Sequence, residues 1–132
     1  MPFVKKYNDT PTKLDPPAPV VEVLLSSPGV PTSARTPVEA LIDSGADITA
    51  IPRKFVEYLQ LKLVDQLPIM GYEGVQSPNL TDVYSVKVFI QDVGDYIIRV
   101  IPSNCDYALL GRDIINRWDL FLHGKTNIFE IS

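Results

Sequence analysis

Short apolar runs rich in Val, Ile and Leu, each bounded by Pro, Gly or Ser, limit most strongly the folds open to this chain. Residues 20–25 form the first run, and residues 38–42 form the next after a loop dense in Pro and Ser. Residues 84–90 alternate apolar with other side chains, turn at 92–95 and return over 96–101. Runs of this length and composition are typical of strands, and the last two predict a hairpin. The pattern therefore predicts a mostly β domain.

Two other segments carry apolar residues at helical spacing. In residues 53–61 and in residues 112–120 the apolar residues are spaced so that a helix would carry them on one face. This spacing predicts one or two short helices. Residues 121–131 predict a second hairpin that turns around 124–127. We therefore expect a mostly β domain with one or two short helices.

The N-terminal residues 1–19 differ from the rest because they contain five prolines. Proline fixes the backbone and removes a donor, which favours an extended, flexible arm. Such an arm is a disordered tail, a segment that pairs with another subunit, or a segment that is cut off. The 132-residue length suits a single domain, which we place at residues 20–132.

Charge and composition exclude some classes of partner. The formal net charge is −4, whereas a nucleic-acid-binding domain normally carries a basic face. No stretch approaches the ~20 apolar residues that span a bilayer, and the N-terminus lacks the apolar core of a signal peptide. We therefore expect no nucleic-acid or membrane partner. The expected location is the cytoplasm, or release from a larger precursor.

A glycine-containing turn with two carboxylates follows the second predicted strand. In ALIDSGADITAIP the strand ends directly before Asp43, and Ser44 and Gly45 turn the chain. Asp, Ser and Gly are common turn formers, so an ordinary turn is one interpretation. Gly45 also allows a ligand or another backbone to come close, and Asp47 brings a carboxylate that needs a basic partner if buried. A functional loop is the other interpretation.

Two further segments are related to this loop. In ALLGRD, residues 108–113, two leucines and Gly111 allow packing against the Asp43 loop, and Arg112 is a natural ion partner for Asp47. Between the two lies IMGYEGV, residues 69–75, whose glycines form the tip of a long predicted hairpin. This hairpin is either a mobile lid over a cleft or an ordinary surface hairpin.

Taken together and in this order, LIDSGADITAIP, IMGYEG and ALLGRDIINRW resemble the retropepsins, the retroviral-type aspartic proteases. The resemblance covers residues 20–131. It implies a closed, barrel-like acid-protease fold with a flap hairpin and one catalytic loop per subunit. It also implies an aspartic endopeptidase that acts as a homodimer on a peptide or protein substrate, with no cofactor and no metal.

The same resemblance implies individual roles, with Asp43 as the catalytic aspartate. The residues implied to support the catalytic loop are Ser44, Gly45, Ala46, Asp47, Leu110, Gly111 and Arg112. The residues implied to bind substrate are Gly45, Asp47, Ile48, Ile69, Met70, Gly71, Tyr72 and Leu109.

Acid–base hydrolysis of a peptide needs two acids, whereas the chain supplies one Asp-Ser-Gly sequence. Two carboxylates close together share one proton, so that one activates a water and the other donates to the carbonyl oxygen. Asp47 is a poor second acid because it lies on the same loop and Arg112 pairs with it. The sequence therefore predicts that the partner of Asp43 is Asp43 of a second chain, on the axis of a C2 dimer.

Other functions fit less well. His123 and Cys105 are the single histidine and cysteine, too few for a zinc site without several carboxylates. A serine hydrolase has to use His123 with Ser44 and lacks a Gly-x-Ser-x-Gly elbow. A cysteine protease needs Cys105 beside His123, whereas we expect Cys105 to pack near a strand end and His123 to lie at the surface. A catalytically inactive binding or dimerisation module on the same fold stays open.

Overall fold

A computed structural model describes residues 2–31, 34–70 and 76–132. Within these residues the chain forms ten strands and two short helices. The strands are β1 Phe3–Lys6, β2 Val20–Ser26, β3 Thr36–Ile42, β4 Thr49–Pro52, β5 Lys62–Met70, β6 Gln76–Ile90, β7 Gly94–Ser103, β8 Ala108–Leu110, β9 Leu120–His123 and β10 Ile128–Ile131. The helices are α1 Arg53–Tyr58 and α2 Arg112–Ile115. The prediction of a mostly β domain with one or two short helices is confirmed.

Six of the strands close into a barrel. Their order is β2-β3-β8-β4-β7-β6, and β6 pairs back with β2, while β5 is added outside β6. Closure removes the free edges of these strands and leaves one interior for their apolar side chains. Fully buried residues of the barrel strands include Val23, Leu25, Ile51, Val86, Val88, Ile90, Val100 and Leu110. The predicted closed, barrel-like fold is confirmed.

The two predicted hairpins of the central region are present. β6 and β7 pair antiparallel from Tyr84 opposite Val100 to Ile90 opposite Gly94. β5 and β6 also pair antiparallel, as far as Met70 opposite Gln76. The predicted tip of this long hairpin, residues 71–75, lies outside the described residues, and so do the side chains of residues 69 and 70.

Helix α2 is shorter than its sequence pattern predicts. It begins after Gly111 and ends at Ile115, having buried Ile114 and Ile115. The chain then leaves the α-helix through tighter turns, in which the Arg117 and Trp118 amides donate to the carbonyls of Ile114 and Ile115, three residues earlier, each at 3.0 Å. Tertiary contacts hold the chain beyond these turns. The Trp118 indole Nε1 donates to the Tyr96 hydroxyl at 2.8 Å, and Asp119 exchanges two backbone hydrogen bonds with Ser132, both 3.0 Å long.

The predicted C-terminal hairpin is present and belongs to a separate sheet, with the order β1-β10-β9. β1 pairs antiparallel with β10 of the same chain, from Phe3 opposite Ile131 to Lys6 opposite Ile128. The Phe3 ring packs beside the buried Phe129, with ring centroids 6.2 Å apart. The N-terminal residues thus differ from the expected flexible arm, because β10 supplies hydrogen-bond partners and an apolar surface for them.

The chain between β1 and β2 is also held against the domain. The Asn8 amide donates from Nδ2 to the Leu14 carbonyl at 2.7 Å and accepts at Oδ1 from the Ala18 amide at 3.2 Å. The Thr12 amide donates to Glu39 Oε2 at 2.8 Å, which ties this segment to β3. Side-chain hydrogen bonds therefore replace the regular pairing that the prolines prevent.

Candidate active site

The topology around β8 creates the loop that carries Asp43. β8 lies between β3 and β4, parallel to β3 with Ile42 opposite Leu110, and antiparallel to β4 with Ala50 opposite Leu109. The chain must therefore leave β3, pass the end of β8 and enter β4 within residues 43–48. The Asp43 amide donates to the Leu110 carbonyl at 2.9 Å, which fixes the start of the loop.

The carboxylate of Asp43 is held by the turn that follows it. Its Oδ1 accepts a hydrogen bond from the Gly45 amide at 3.0 Å, and the Asp43 carbonyl accepts one from the Ala46 amide at 3.1 Å. A Cβ atom at residue 45 would lie only 3.2 Å from Asp43 Oδ1, so glycine gives the carboxylate its room. Asp43 is half-buried, whereas Ser44 and Gly45 are exposed. The turn thus presents an acid in a fixed position at the protein surface.

Gly111 allows the entry of α2 to touch the far side of the loop. A Cβ atom there would lie 2.9 Å from the Ala46 carbonyl oxygen and 2.9 Å from the backbone carbon of Ile48. The next amide, that of Arg112, donates to the same Ala46 oxygen at 2.8 Å. The predicted packing of the Leu-Leu-Gly segment against the loop is therefore present. It is possible because Gly111 has no side chain.

The contact predicted between Arg112 and Asp47 is also present. The guanidinium donates from Nη2 to Asp47 Oδ1 and from Nη1 to the Ser44 carbonyl at 2.7 Å. One side chain therefore fixes two points of the loop, on either side of Gly45. Asp47 is 85% exposed and already engaged with a cation, so it is a poor candidate for proton transfer.

Sequence reasoning missed a buried hydrogen-bond network beneath the loop. The Thr49 hydroxyl donates to Asp113 Oδ1 at 2.7 Å and accepts from the Gly111 amide at 3.1 Å, while the Thr49 amide donates to Asp113 Oδ2 at 3.0 Å. Thr49 is fully buried in β4, all four of whose residues are buried. A single hydroxyl inside an apolar strand was the available signal, because a buried polar group needs a partner.

The other implied binding residues occupy mixed positions. Ile48 and Leu109 are half-buried, and Leu110 is buried in the core. Ile69 and Met70 lie in the last two positions of β5. Gly71 and Tyr72 lie outside the described residues, so the implied flap contacts stay predictions.

The residues invoked by the rival functions lie at the surface. His123 ends β9, with its Nε2 3.8 Å from Glu130 Oε2. Cys105 is exposed, so the expectation that it packs near a strand end is wrong. It lies in a bend after β7, where its amide donates to the Ser103 hydroxyl at 2.9 Å.

Among the described residues, no three His, Cys, Asp or Glu side chains are grouped so that they can hold a metal ion. In the same part of the chain, neither helix is long and apolar enough to cross a bilayer.

Solved structures share the fold of this chain. The simian foamy virus (mac) protease aligns with a TM-score of 0.54 and 24% identity over 74% of this chain and 92% of that one. A retropepsin-like aspartic protease from Rickettsia conorii aligns with a TM-score of 0.65 and 12% identity over 99% and 89%. The EIAV protease, in complex with the inhibitor HBY-793, gives 0.53 and 21% over 76% and 86%. At these identities the likeness concerns the fold alone.

Sequence comparison supplies the family. No curated protein is matched by the sequence. The model of the family described as gag-polyprotein putative aspartyl protease matches residues 32–117, which is more than half of the chain. The matched segment contains both the Asp43 loop and the Gly111–Arg112 contact that supports it. The chain therefore belongs to the retropepsin-like aspartic protease family.

Proposed function

We propose that this chain is an aspartic endopeptidase that acts as a homodimer, with one Asp43 from each subunit in the catalytic centre. The observation that carries the proposal is the presentation of Asp43. Its carboxylate is held by the Gly45 amide at the start of the loop, while the other acid of that loop is engaged by Arg112. A single presented acid suits a site that is completed by a second copy on a two-fold axis.

The chemistry follows from one proton shared by two adjacent carboxylates. The ionised Asp43 takes a proton from a water, whose oxygen bonds to the substrate carbonyl carbon. The protonated Asp43 of the partner gives its proton to the carbonyl oxygen, which produces a tetrahedral diol. Return of one hydroxyl proton to the ionised carboxylate restores the C=O bond as the C–N bond breaks, and the amine nitrogen takes the proton that the first Asp43 gained from water.

The β5–β6 hairpin is proposed to act as a lid over the substrate. It is long, its last described pair is Met70 opposite Gln76, and the register shifts between Pro68 and Met70. Closure of such a lid excludes water and aligns an extended peptide beside the Asp43 loop. Of the predicted binding residues, Ile48 lies on this loop and Leu109 on the adjacent β8, and we propose apolar subsites there.

The decisive variant is Asp43→Asn, which keeps the shape of the carboxylate and removes its charge. We expect kcat/KM for peptide cleavage to fall by about 10²–10⁴-fold, the usual contribution of general acid–base groups. Asp92→Asn, the same change in the exposed turn after β6, is the matched control and leaves cleavage unchanged.

The competing function is a binding or dimerisation module that has lost catalysis. It predicts that the wild-type chain dimerises but cleaves no peptide in a diverse library. If cleavage occurs and survives Asp43→Asn undiminished, the activity belongs to a contaminant or to another site, and the proposal is wrong.

A further inference from the structure

A groove runs beside the catalytic loop, between that loop, β7 and the end of α2. Its volume is about 500 Å³, enough for one or two amino-acid side chains. Ile48 and Ile97 line it with apolar surface, and Ile97 is 59% exposed, so its side chain is accessible to a ligand. Because Ile48 lies five residues beyond Asp43 on the same loop, the groove is placed for a substrate residue away from the scissile bond.

Four charged residues border this apolar surface: Asp47, Asp113, Arg99 and Arg117. The two acids are already occupied within the protein. Both carboxylate oxygens of Asp113 accept hydrogen bonds from Thr49, and Asp47 accepts one from Arg112. The two acids and the two arginines have equal and opposite formal charges. Because the acids already accept hydrogen bonds within the protein, the arginines have more hydrogen-bonding groups left for a ligand.

The two arginines keep donors available. Arg99 approaches Asp65 with one nitrogen, Nη1 at 3.4 Å, and its side chain is 63% exposed. The guanidinium carbon of Arg117 lies 5.7 Å from the centre of the Tyr96 ring, and no ion pair among the described residues includes Arg117. A guanidinium carries five N–H donors in a planar fork that matches a carboxylate.

We propose that this groove binds an acidic side chain of the substrate, an Asp or Glu removed from the scissile bond. Arg117 is the principal contact and Arg99 the second, while Ile48 and Ile97 pack against the methylene groups. The inference rests on the proposed peptidase function and adds a substrate class to it. Arg117 and Arg99 are thus specificity-determining residues, remote from the proton transfer at Asp43.

The test uses short peptides with a central apolar pair, in which each flanking position in turn is Glu, Gln or Lys. At one flanking position we expect wild-type kcat/KM to be roughly threefold to tenfold higher for Glu than for Lys, as for a partly exposed charge pair. Arg117→Glu reverses this order. Arg53→Glu, the same change on the exposed first turn of α1, leaves it unaltered.

Binding of the same peptides to the Asp43→Asn chain separates this inference from the proposed function. If the wild type cleaves nothing, yet the Asp43→Asn chain prefers Glu peptides and adding Arg117→Glu reverses that preference, the groove assignment stands and the peptidase proposal fails. Cleavage with no preference among Glu, Gln and Lys at any position overturns the groove assignment alone. A Glu preference that survives both Arg117→Glu and Arg99→Glu overturns it as well.

Discussion

At Gly111 the backbone of one element lies so close to another that no side chain fits. A Cβ atom would lie 2.9 Å from the Ala46 oxygen and 2.9 Å from the Ile48 backbone carbon, both on the Asp43 loop. These are backbone atoms, so they cannot move aside as the end of a flexible side chain can. The loop and the α2 entry are therefore coupled at this residue, and any widening here displaces the turn that holds Asp43.

We expect Gly111→Ala to lower the free energy of unfolding by about 1–3 kcal/mol, the usual cost of overpacking, and to reduce peptide cleavage as well. Urea unfolding and kcat/KM measure the two effects. Gly124→Ala is the matched control, because a Cβ atom there meets nothing within 4 Å. Equal stability of the Gly111→Ala and Gly124→Ala chains would mean that the loop does not need this close approach.

The Thr49 hydroxyl joins β4 to the Gly111 amide and to Asp113. Thr49→Val removes the hydroxyl, so the buried Gly111 amide loses its acceptor and Asp113 Oδ1 loses a donor. We expect a loss of about 1–3 kcal/mol in the free energy of unfolding, the cost of leaving such groups unpaired. Thr49→Ser keeps the hydroxyl and should retain most of the stability. If Val is tolerated as well as Ser in urea unfolding, the network does not stabilise the loop.

Of the two contacts that support the Asp43 loop, the one made by Arg112 could be predicted from the sequence and the one made by Thr49 could not. The Arg112–Asp47 contact was predictable because opposite charges occur in two segments that a family resemblance already relates. The Thr49–Asp113 contact joins residues 64 positions apart and involves no opposite charges. Only the placement of β8 between β3 and β4 brings them together, and that order cannot be obtained from the two segments separately.

Among the elements, the N-terminal segment has an unexpected connection to β3, the strand that leads into the Asp43 loop. The Asn8 side chain bridges Leu14 and Ala18. One residue beyond Ala18, the Pro19 carbonyl accepts a hydrogen bond at 3.0 Å from the amide of Ile42, the residue before Asp43. The segment therefore supports the end of β3 from the side opposite to β8.

We expect Asn8→Gly to weaken this support. The change removes both side-chain hydrogen bonds, while glycine tolerates the positive φ of 53° at this position. Hydrogen exchange should become faster at the Ile42 amide, which depends on Pro19, than in the wild type. The Asp43 amide, bonded to Leu110, is the internal control and should change little. Unaltered exchange at Ile42 would mean that the segment is not coupled to β3.

The elements that the sequence predicted well are those with a strong local pattern. β6 and β7 alternate over enough residues to identify the hairpin, and β2 and β3 appear as compact apolar runs. β1 escaped prediction because four residues, FVKK, between prolines and polar residues carry little periodicity, and its strand character comes from pairing with β10. α2 was predicted too long because the Arg117 and Trp118 amides donate three residues back instead of four and Asp119 pairs with Ser132, which the spacing of apolar residues does not reveal.

For the whole molecule, the proposed dimer requires two intact Asp43 side chains in one site, which makes a defective chain inhibitory. When an equal amount of Asp43→Asn chain is added to the wild type and the chains pair at random, the total number of dimers doubles. About one quarter of these dimers contain two wild-type chains and so carry both carboxylates. We therefore expect activity to fall to about half that of the same amount of wild type alone, at concentrations where dimers are saturated. A threefold excess of the Asp43→Asn chain should leave about one quarter.

The control replaces the added chain with Asp92→Asn, which carries the same chemical change in an exposed turn and forms active dimers with the wild type. Activity should then rise with the total chain concentration. Native mass measurement checks that subunits have exchanged before the assay. If exchange is complete and the Asp43→Asn chain leaves wild-type activity undiminished, each chain completes its own site. Because the Asp43 loop has no second presented acid, such a result would require a proton donor from outside the loop, and the two-fold mechanism would have to be abandoned.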